Sequence, residues 1–95
     1  MVKVKVTEKT SKLTVYPNVS GINTTIEIEL STEGEIQLIL FNQSGQMIRQ
    51  LLTRTLLPSG NHTYDLNLES FPVGVFYISL LTPDGLQTKR LMVIR

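Results

Sequence analysis

The chain has 95 residues, nine Lys and Arg against eight Asp and Glu, one His, and no Cys or Trp. It is shorter than an average domain of about 150 residues, so it holds one small domain with a small core. Disulfides, thiolate zinc sites and cysteine nucleophiles are excluded, one His cannot by itself build a multi-His metal site, and a net charge of +1 is not the basic footprint of a nucleic-acid binder.

Ala is absent, whereas Thr occurs eleven times, beside fourteen Leu, eight Ile and eight Val. Without the best helix former, and with so many β-branched residues, the composition leans all-β. No apolar run approaches the roughly 18 residues of a membrane helix, and the alternating start Met1–Val6 lacks the apolar stretch of a secretory signal peptide. Val2, Val4 and Val6 alternate with Lys3 and Lys5 as in an edge strand, where lysines discourage edge-to-edge pairing. Thr7 to Lys12 reads as a linker, so residues 1–12 are assigned to the upstream connection and 13–95 to the folded domain.

Leu13 to Tyr16 is a short strand stopped by Pro17-Asn18. Thr24 to Leu30 alternates cleanly, with Ile26, Ile28 and Leu30 on one face and Glu27 and Glu29 on the other. After the turn Ser31–Gly34, Glu35 to Phe41 places Ile36, Leu38 and Leu40 on one face. Asn42–Gly45 is a hairpin turn, and Gln46 to Thr53 is the returning strand. Residues 46–57 also fit a helical period, but Thr53, Thr55 and the preceding turn favour strand. Leu57–Asn61 turns the chain again, and His62 to Leu68 points Tyr64, Leu66 and Leu68 inward. Residues 69–74 cross irregularly to Val75–Thr82. Pro83-Asp84-Gly85 then leads to the last strand, Gln87 to Ile94. About seven strands at roughly 8–12-residue spacing, separated by turn residues, predict an antiparallel β-sandwich or barrel.

Little in the chain supports catalysis. His62, beside a turn, reads as a solvated surface residue and is the sole candidate base for nucleophilic catalysis. Glu27 and Glu29 lie about 6.8 Å apart along one strand face, a spacing glycosidases use, but they read as a solvated face with no Trp to line a sugar cleft. The glycines sit singly at turns, so there is no phosphate loop, and no loop alternates Asp as calcium sites do. Four Asn-X-Ser/Thr sequons, at Asn18, Asn23, Asn42 and Asn61, fall at predicted turns, where local hydrogen bonding favours Asn, Ser and Thr. No cofactor is expected, nor nucleic-acid binding or membrane insertion.

Three features remain, and they occur in a telling order. Leu13-Thr14-Val15-Tyr16-Pro17-Asn18 opens the domain. Leu40-Phe41-Asn42-Gln43-Ser44-Gly45-Gln46-Met47-Ile48 and Leu57-Pro58-Ser59-Gly60-Asn61 mark its middle. Phe71-Pro72-Val73-Gly74-Val75-Phe76-Tyr77-Ile78-Ser79-Leu80 and Lys89-Arg90-Leu91-Met92-Val93-Ile94 mark its end. Together they resemble the C-terminal sorting domain of the bacterial type IX secretion system, over Leu13 to Arg95. Val19 stands where that family commonly has a second Pro, and Tyr77 is displaced by one position from the commonest spacing after Gly74.

The resemblance implies an immunoglobulin-like β-sandwich at the end of a cargo protein, an address rather than an enzyme. Such cargo crosses the periplasm, passes the outer-membrane translocon and reaches the cell surface or medium, usually losing the domain to a surface sortase. The implied partners are the translocon and its shuttle and sortase proteins. The residues expected to be recognised are Gly74, Tyr77, Lys89, Arg90, Val93, Ile94 and Arg95. Tyr16, Pro17, Asn18, Gly45, Gly60 and Gly85 would shape the turns. Ile39, Phe41, Phe76 and Ile78 suggest strands apolar on both faces and hence an exposed apolar patch. The alternating Val2–Val6 leaves strand exchange between two copies open. The competing reading is an adhesion or ligand-binding sandwich module of a larger surface protein.

Overall fold

A computed structural model describes residues 11–94. Eight strands follow one another: β1 (Lys12–Tyr16), β2 (Val19–Ser20), β3 (Asn23–Leu30), β4 (Gly34–Asn42), β5 (Met47–Leu57), β6 (Gly60–Asn67), β7 (Gly74–Thr82) and β8 (Gly85–Val93). They form a three-stranded sheet, β1-β3-β6, and a five-stranded sheet, β2-β8-β7-β4-β5. The seven longer strands pair antiparallel, and the two-residue β2 lies parallel to the end of β8. The fold is thus the all-β sandwich that the composition and turn spacing predict. Residues 47–57 are strand, as Thr53 and Thr55 suggest.

Alternation explains the core. Leu13 and Val15 of β1, Ile26, Ile28 and Leu30 of β3, and Leu66 of β6 turn inward from the smaller sheet. Ile36, Leu38 and Leu40 of β4, Phe76, Ile78 and Leu80 of β7, and Leu91 and Val93 of β8 meet them from the larger one. Burying each such side chain contributes about 1.5–3 kcal/mol. Leu68 and Phe71, on the crossing between the sheets, close one end, where Phe71 meets Phe76 edge to face at 5.5 Å. Tyr64 is half-buried against the core.

Four expectations are corrected. Phe76 and Ile78 belong to the inner face, 5% and 0% exposed, so the apolar outer face of β4 and β7 comes from Ile39, Phe41, Val75, Tyr77 and Leu81 instead. The parity of the strand decides this: Leu38, Leu40, Ile78 and Leu80 are one another's ladder partners and share one side. Asn23 and Asn61 lie in strands rather than turns, because β3 and β6 pair along their full length from Asn23↔Asn67 to Leu30↔Gly60. The folded unit also takes in Ser11 and Lys12, because Ser11 is buried and hydrogen-bonded and Lys12 begins β1. Val93, expected at a recognition surface, is wholly buried, because it faces the core from the end of β8. The expected edge strand Val2–Val6 lies outside the described residues.

One contact ties two distant turns together. A Cβ on Gly34 would run into the ring of Pro83, so glycine lets the start of β4 lie directly against the β7–β8 turn.

Candidate partner-binding surface

The last hairpin, β7–β8, is built on nine ladder pairs in unbroken register, from Gly74↔Val93 to Thr82↔Gly85. Its outer face follows from that register. Arg90 stands opposite Tyr77, Tyr77 opposite Phe41, and Phe41 opposite Met47, giving a row across four strands. Val75 with Met92, and Leu81 with Leu86, add apolar surface beside this row. Met47, Leu81 and Leu86 are 56%, 43% and 65% exposed, so the face is open to solvent. The patch that the sequence suggests therefore exists, but with this membership.

The free side of β8 is set by hydrogen-bond parity. Met92 N–H donates to the Asn18 carbonyl at 2.9 Å, away from β7. In an antiparallel ladder alternate residues direct both main-chain groups to the same side. Thr88 and Arg90 therefore aim their N–H and C=O groups away from β7 as well. On β1, Leu13 N–H donates to Gln87 Oε1 at 3.0 Å, so Leu13 and Val15 face β8. Between these two edges lies a slot of about 290 Å³ lined by Leu13, Thr14, Val15, Asn18, Lys89 and Arg90. At one end β2 pairs with Met92 and Val93 and closes it.

The other end is closed by a polar clasp. Asp84 Oδ2 accepts from Ser11 N–H at 2.9 Å, Ser11 Oγ at 2.6 Å and Ser31 Oγ at 2.5 Å. Ser11 Oγ in turn accepts from Ser31 N–H at 3.1 Å, and Gln87 Nε2 donates to the Ser11 carbonyl. These bonds favour the ionised carboxylate. The side-chain bond from Ser11, then those from Ser31 and the Ser11 main chain, hold the Asp84 carboxyl below the ordinary aspartate range. Sequence reasoning assigned Asp84 only to a turn and missed Ser11, Ser31 and Gln87, since pairs 73 and 53 residues apart leave no local pattern.

A second hollow, of about 360 Å³, lies between the β4–β5 turn and the crossing before β7, lined among others by Asn42, Ile48, Arg49, Phe71, Val73 and Gly74. The Arg49 guanidinium lies 5.5 Å from the Phe71 ring centroid, a cation–π distance. The Asn42 carboxamide shapes the adjoining turn: its Oδ1 accepts from Ser44 and Gln46 N–H, each at 2.9 Å.

The expected recognition residues are thus divided. Tyr77 and Arg90 meet on the outer face, Lys89 is exposed at the slot opposite Ile78, and Gly74 lines the second hollow. Ile94 is 44% exposed, whereas Arg95 lies outside the described residues. Among the turn residues, the Tyr16–Pro17 peptide is cis. The Pro17 carbonyl accepts from Thr24 Oγ1 at 2.8 Å, and the Asn18 carbonyl holds Met92. Gly45, Gly60 and Gly85 have φ of +86°, +123° and +133°. His62 is half-buried, its Nε2 2.8 Å from the Pro58 carbonyl, and Glu27 and Glu29 face Thr14 and Lys12 across the β1–β3 ladder. Among the described residues no three His, Cys, Asp or Glu side chains are grouped to hold a metal.

The fold is a small β-sandwich whose last hairpin presents an open face of apolar residues and Arg90. Residues 14–94 match the family described as "Secretion system C-terminal sorting domain", and the chain belongs to that family, the sorting domains of type IX secretion. These domains are signals, not catalysts, and they mark proteins for secretion to the cell surface or beyond. No curated protein matches the chain. Among solved structures, superoxide reductase (neelaredoxin) from Ignicoccus hospitalis is similar at 16% identity and a TM-score of 0.53, over 90% of this chain and 81% of that one. The T24K form of the same enzyme aligns at 15% identity and a TM-score of 0.46, over 88% and 77%. The first likeness concerns the sandwich fold alone.

Proposed function

We propose that this domain is read through its last hairpin by the outer-membrane translocon and its shuttle and sortase proteins. Cargo bearing it passes through the periplasm, is recognised at β7–β8, and is delivered to the surface, where a sortase removes the domain. Tyr77, Lys89, Arg90 and Ile94 supply side-chain contacts, Gly74 shapes the start of the hairpin, and Val93 holds β8 against the core. The observation that carries this reading is the unbroken β7–β8 hairpin, which presents Tyr77 and Arg90 together on an open face.

The test fuses the chain to a periplasmic fluorescent protein in a bacterium with a type IX system. Translocon-dependent delivery of the fusion to the surface or medium is expected. A Lys89→Glu/Arg90→Glu variant should fold with an unchanged melting temperature and stay in the periplasm. Retention of the intact, folded parent fusion would instead favour an adhesion module.

A further inference from the structure

We propose that the slot between β1 and β8 is a docking site for a short extended segment of a partner protein that carries carboxylate side chains. The main-chain groups argue for a strand. On one wall Val15 aims its N–H and C=O into the slot, and on the other Thr88 and Arg90 do so, by the alternation that Leu13 and Met92 establish. No hydrogen bond joins these groups across the slot among the described residues; the bridges come from the Gln87 side chain at one end and β2 at the other. A row of unpaired donors and acceptors on a regular edge is what an added strand satisfies. Between the clasp and β2 the open stretch spans Thr88 to Leu91, which matches three or four extended residues at about 3.3 Å each.

The side chains argue for the charge. Lys89 and Arg90 both line the slot and both are exposed. The Asp84 carboxylate at the closed end is occupied by Ser11 and Ser31. Among the described residues no carboxylate pairs with Arg90, whose guanidinium can form the two-pronged bond that suits one. The other edges lack this combination. The β5 edge is broken by three register shifts. β6 pairs regularly with β3, but it carries Asp65 and neither Lys nor Arg.

The inference rests on the sorting reading only for the partner's role, and binding is tested independently of export. The ¹⁵N-labelled 95-residue chain is titrated with a capped Val-Glu-Val-Glu-Val peptide, with its Val-Lys counterpart, and with acetate. The Glu peptide should cause saturable shifts at the Val15, Thr88 and Arg90 amides and slow their hydrogen exchange. The Lys peptide should bind at least about tenfold more weakly, as charge complementarity requires. Thr88→Pro removes an outward N–H while sparing the β7 ladder, a position where an edge strand accepts proline, and should abolish these shifts. If that variant does not fold, Lys89→Gln/Arg90→Gln serves instead, with at least about tenfold weaker binding expected.

The inference is overturned if the three amides do not respond, if the Lys peptide binds equally, if acetate alone reproduces the main-chain shifts, or if the response maps to the hollow beside Arg49 and Phe71. Export of the parent fusion is scored separately. Its failure overturns the sorting reading, while the titration alone decides the slot.

Discussion

The five-stranded sheet has a long strand near each margin, β5 on one side and β8, flanked only by the two-residue β2, on the other, and they are built in opposite ways. β5 slips register against β4 three times, between Ile36 and Leu38, Leu38 and Ile39, and Leu40 and Phe41. Arg54, within the first of these irregularities, takes a φ of +40°, which L-residues seldom adopt. β8 runs beside β7 through nine pairs without a slip. Bulges twist an edge and break its row of donors and acceptors, which discourages a further strand. One side of the sheet is thereby blunted, and the other keeps a straight edge with two cations beside it. Backbone geometry alone thus makes one side of the sheet better suited to a further strand than the other.

The comparison is broken most severely through the core that both edges share. Ile78 is fully buried beside β8, and Ile78→Ala should cost about 2–5 kcal/mol in urea unfolding. Hydrogen exchange at β5 and β8 should accelerate together if the sheet is one cooperative unit. Faster exchange at β8 alone would show that the last hairpin opens independently.

Gly34→Ala comes next. The added methyl meets the Pro83 ring, and relieving the overlap should cost about 1–3 kcal/mol. The double variant Gly34→Ala/Pro83→Ala should recover much of the loss, so the cycle measures the contact itself. Additive losses would place the damage elsewhere.

The Asp84 clasp sharpens the comparison through pH. Asp84's folded pKa lies below its unfolded value of 3.8, so its stabilisation is complete above that value and disappears as pH falls through the folded pKa. As pH falls below 3.8, the Ser11 and Leu13 amides should lose protection before those of β5 do. Asp84→Asn should flatten that difference, and an unchanged profile would remove the clasp from the account.

The smallest effect belongs to the blunted edge. Arg54→Gly removes a left-handed cost of about 1–2 kcal/mol but loosens the unfolded chain by about 0.5–1 kcal/mol. The expected net gain is about 0.5 kcal/mol, seen as a slightly higher urea midpoint. A clear loss would mean that the Arg54 side chain contributes more to the edge than its backbone costs.

Much of this sandwich was legible because a strand with one wet face writes its register into alternate residues. Ile26, Ile28 and Leu30 against Glu27 and Glu29 is the plainest case, and Ile36, Leu38 and Leu40 another. Where both faces of a strand are apolar, that signal fades. Phe76 and Ile78 could not be told from Val75 and Tyr77 by pattern, and only the ladder with β4 assigns them. The bulges of β5 were hidden for a related reason: Met47, Ile48, Leu51 and Leu52 satisfy several registers equally. β2 is too short to carry a period. Of the binding surface, Tyr77, Lys89 and Arg90 were named from motif resemblance, whereas the slot was not, because it depends on which way main-chain groups point. The Ser11–Asp84 and Gly34–Pro83 contacts join residues that nothing in the linear order relates.

The clasp also determines how a pull is transmitted. Ser11 is where the described fold begins, and it is bonded to Asp84 and Gln87 on the last hairpin as well as to Ser31 at the end of β3. A tug arriving from the upstream side is shared at once between both sheets instead of peeling β1 from β3 one rung at a time. The coupling runs both ways: a load applied at β8 is felt at Ser11 without passing through the core. The joint at Ser11 is shared between the Asp84 carboxylate, the Gln87 carboxamide and Ser31.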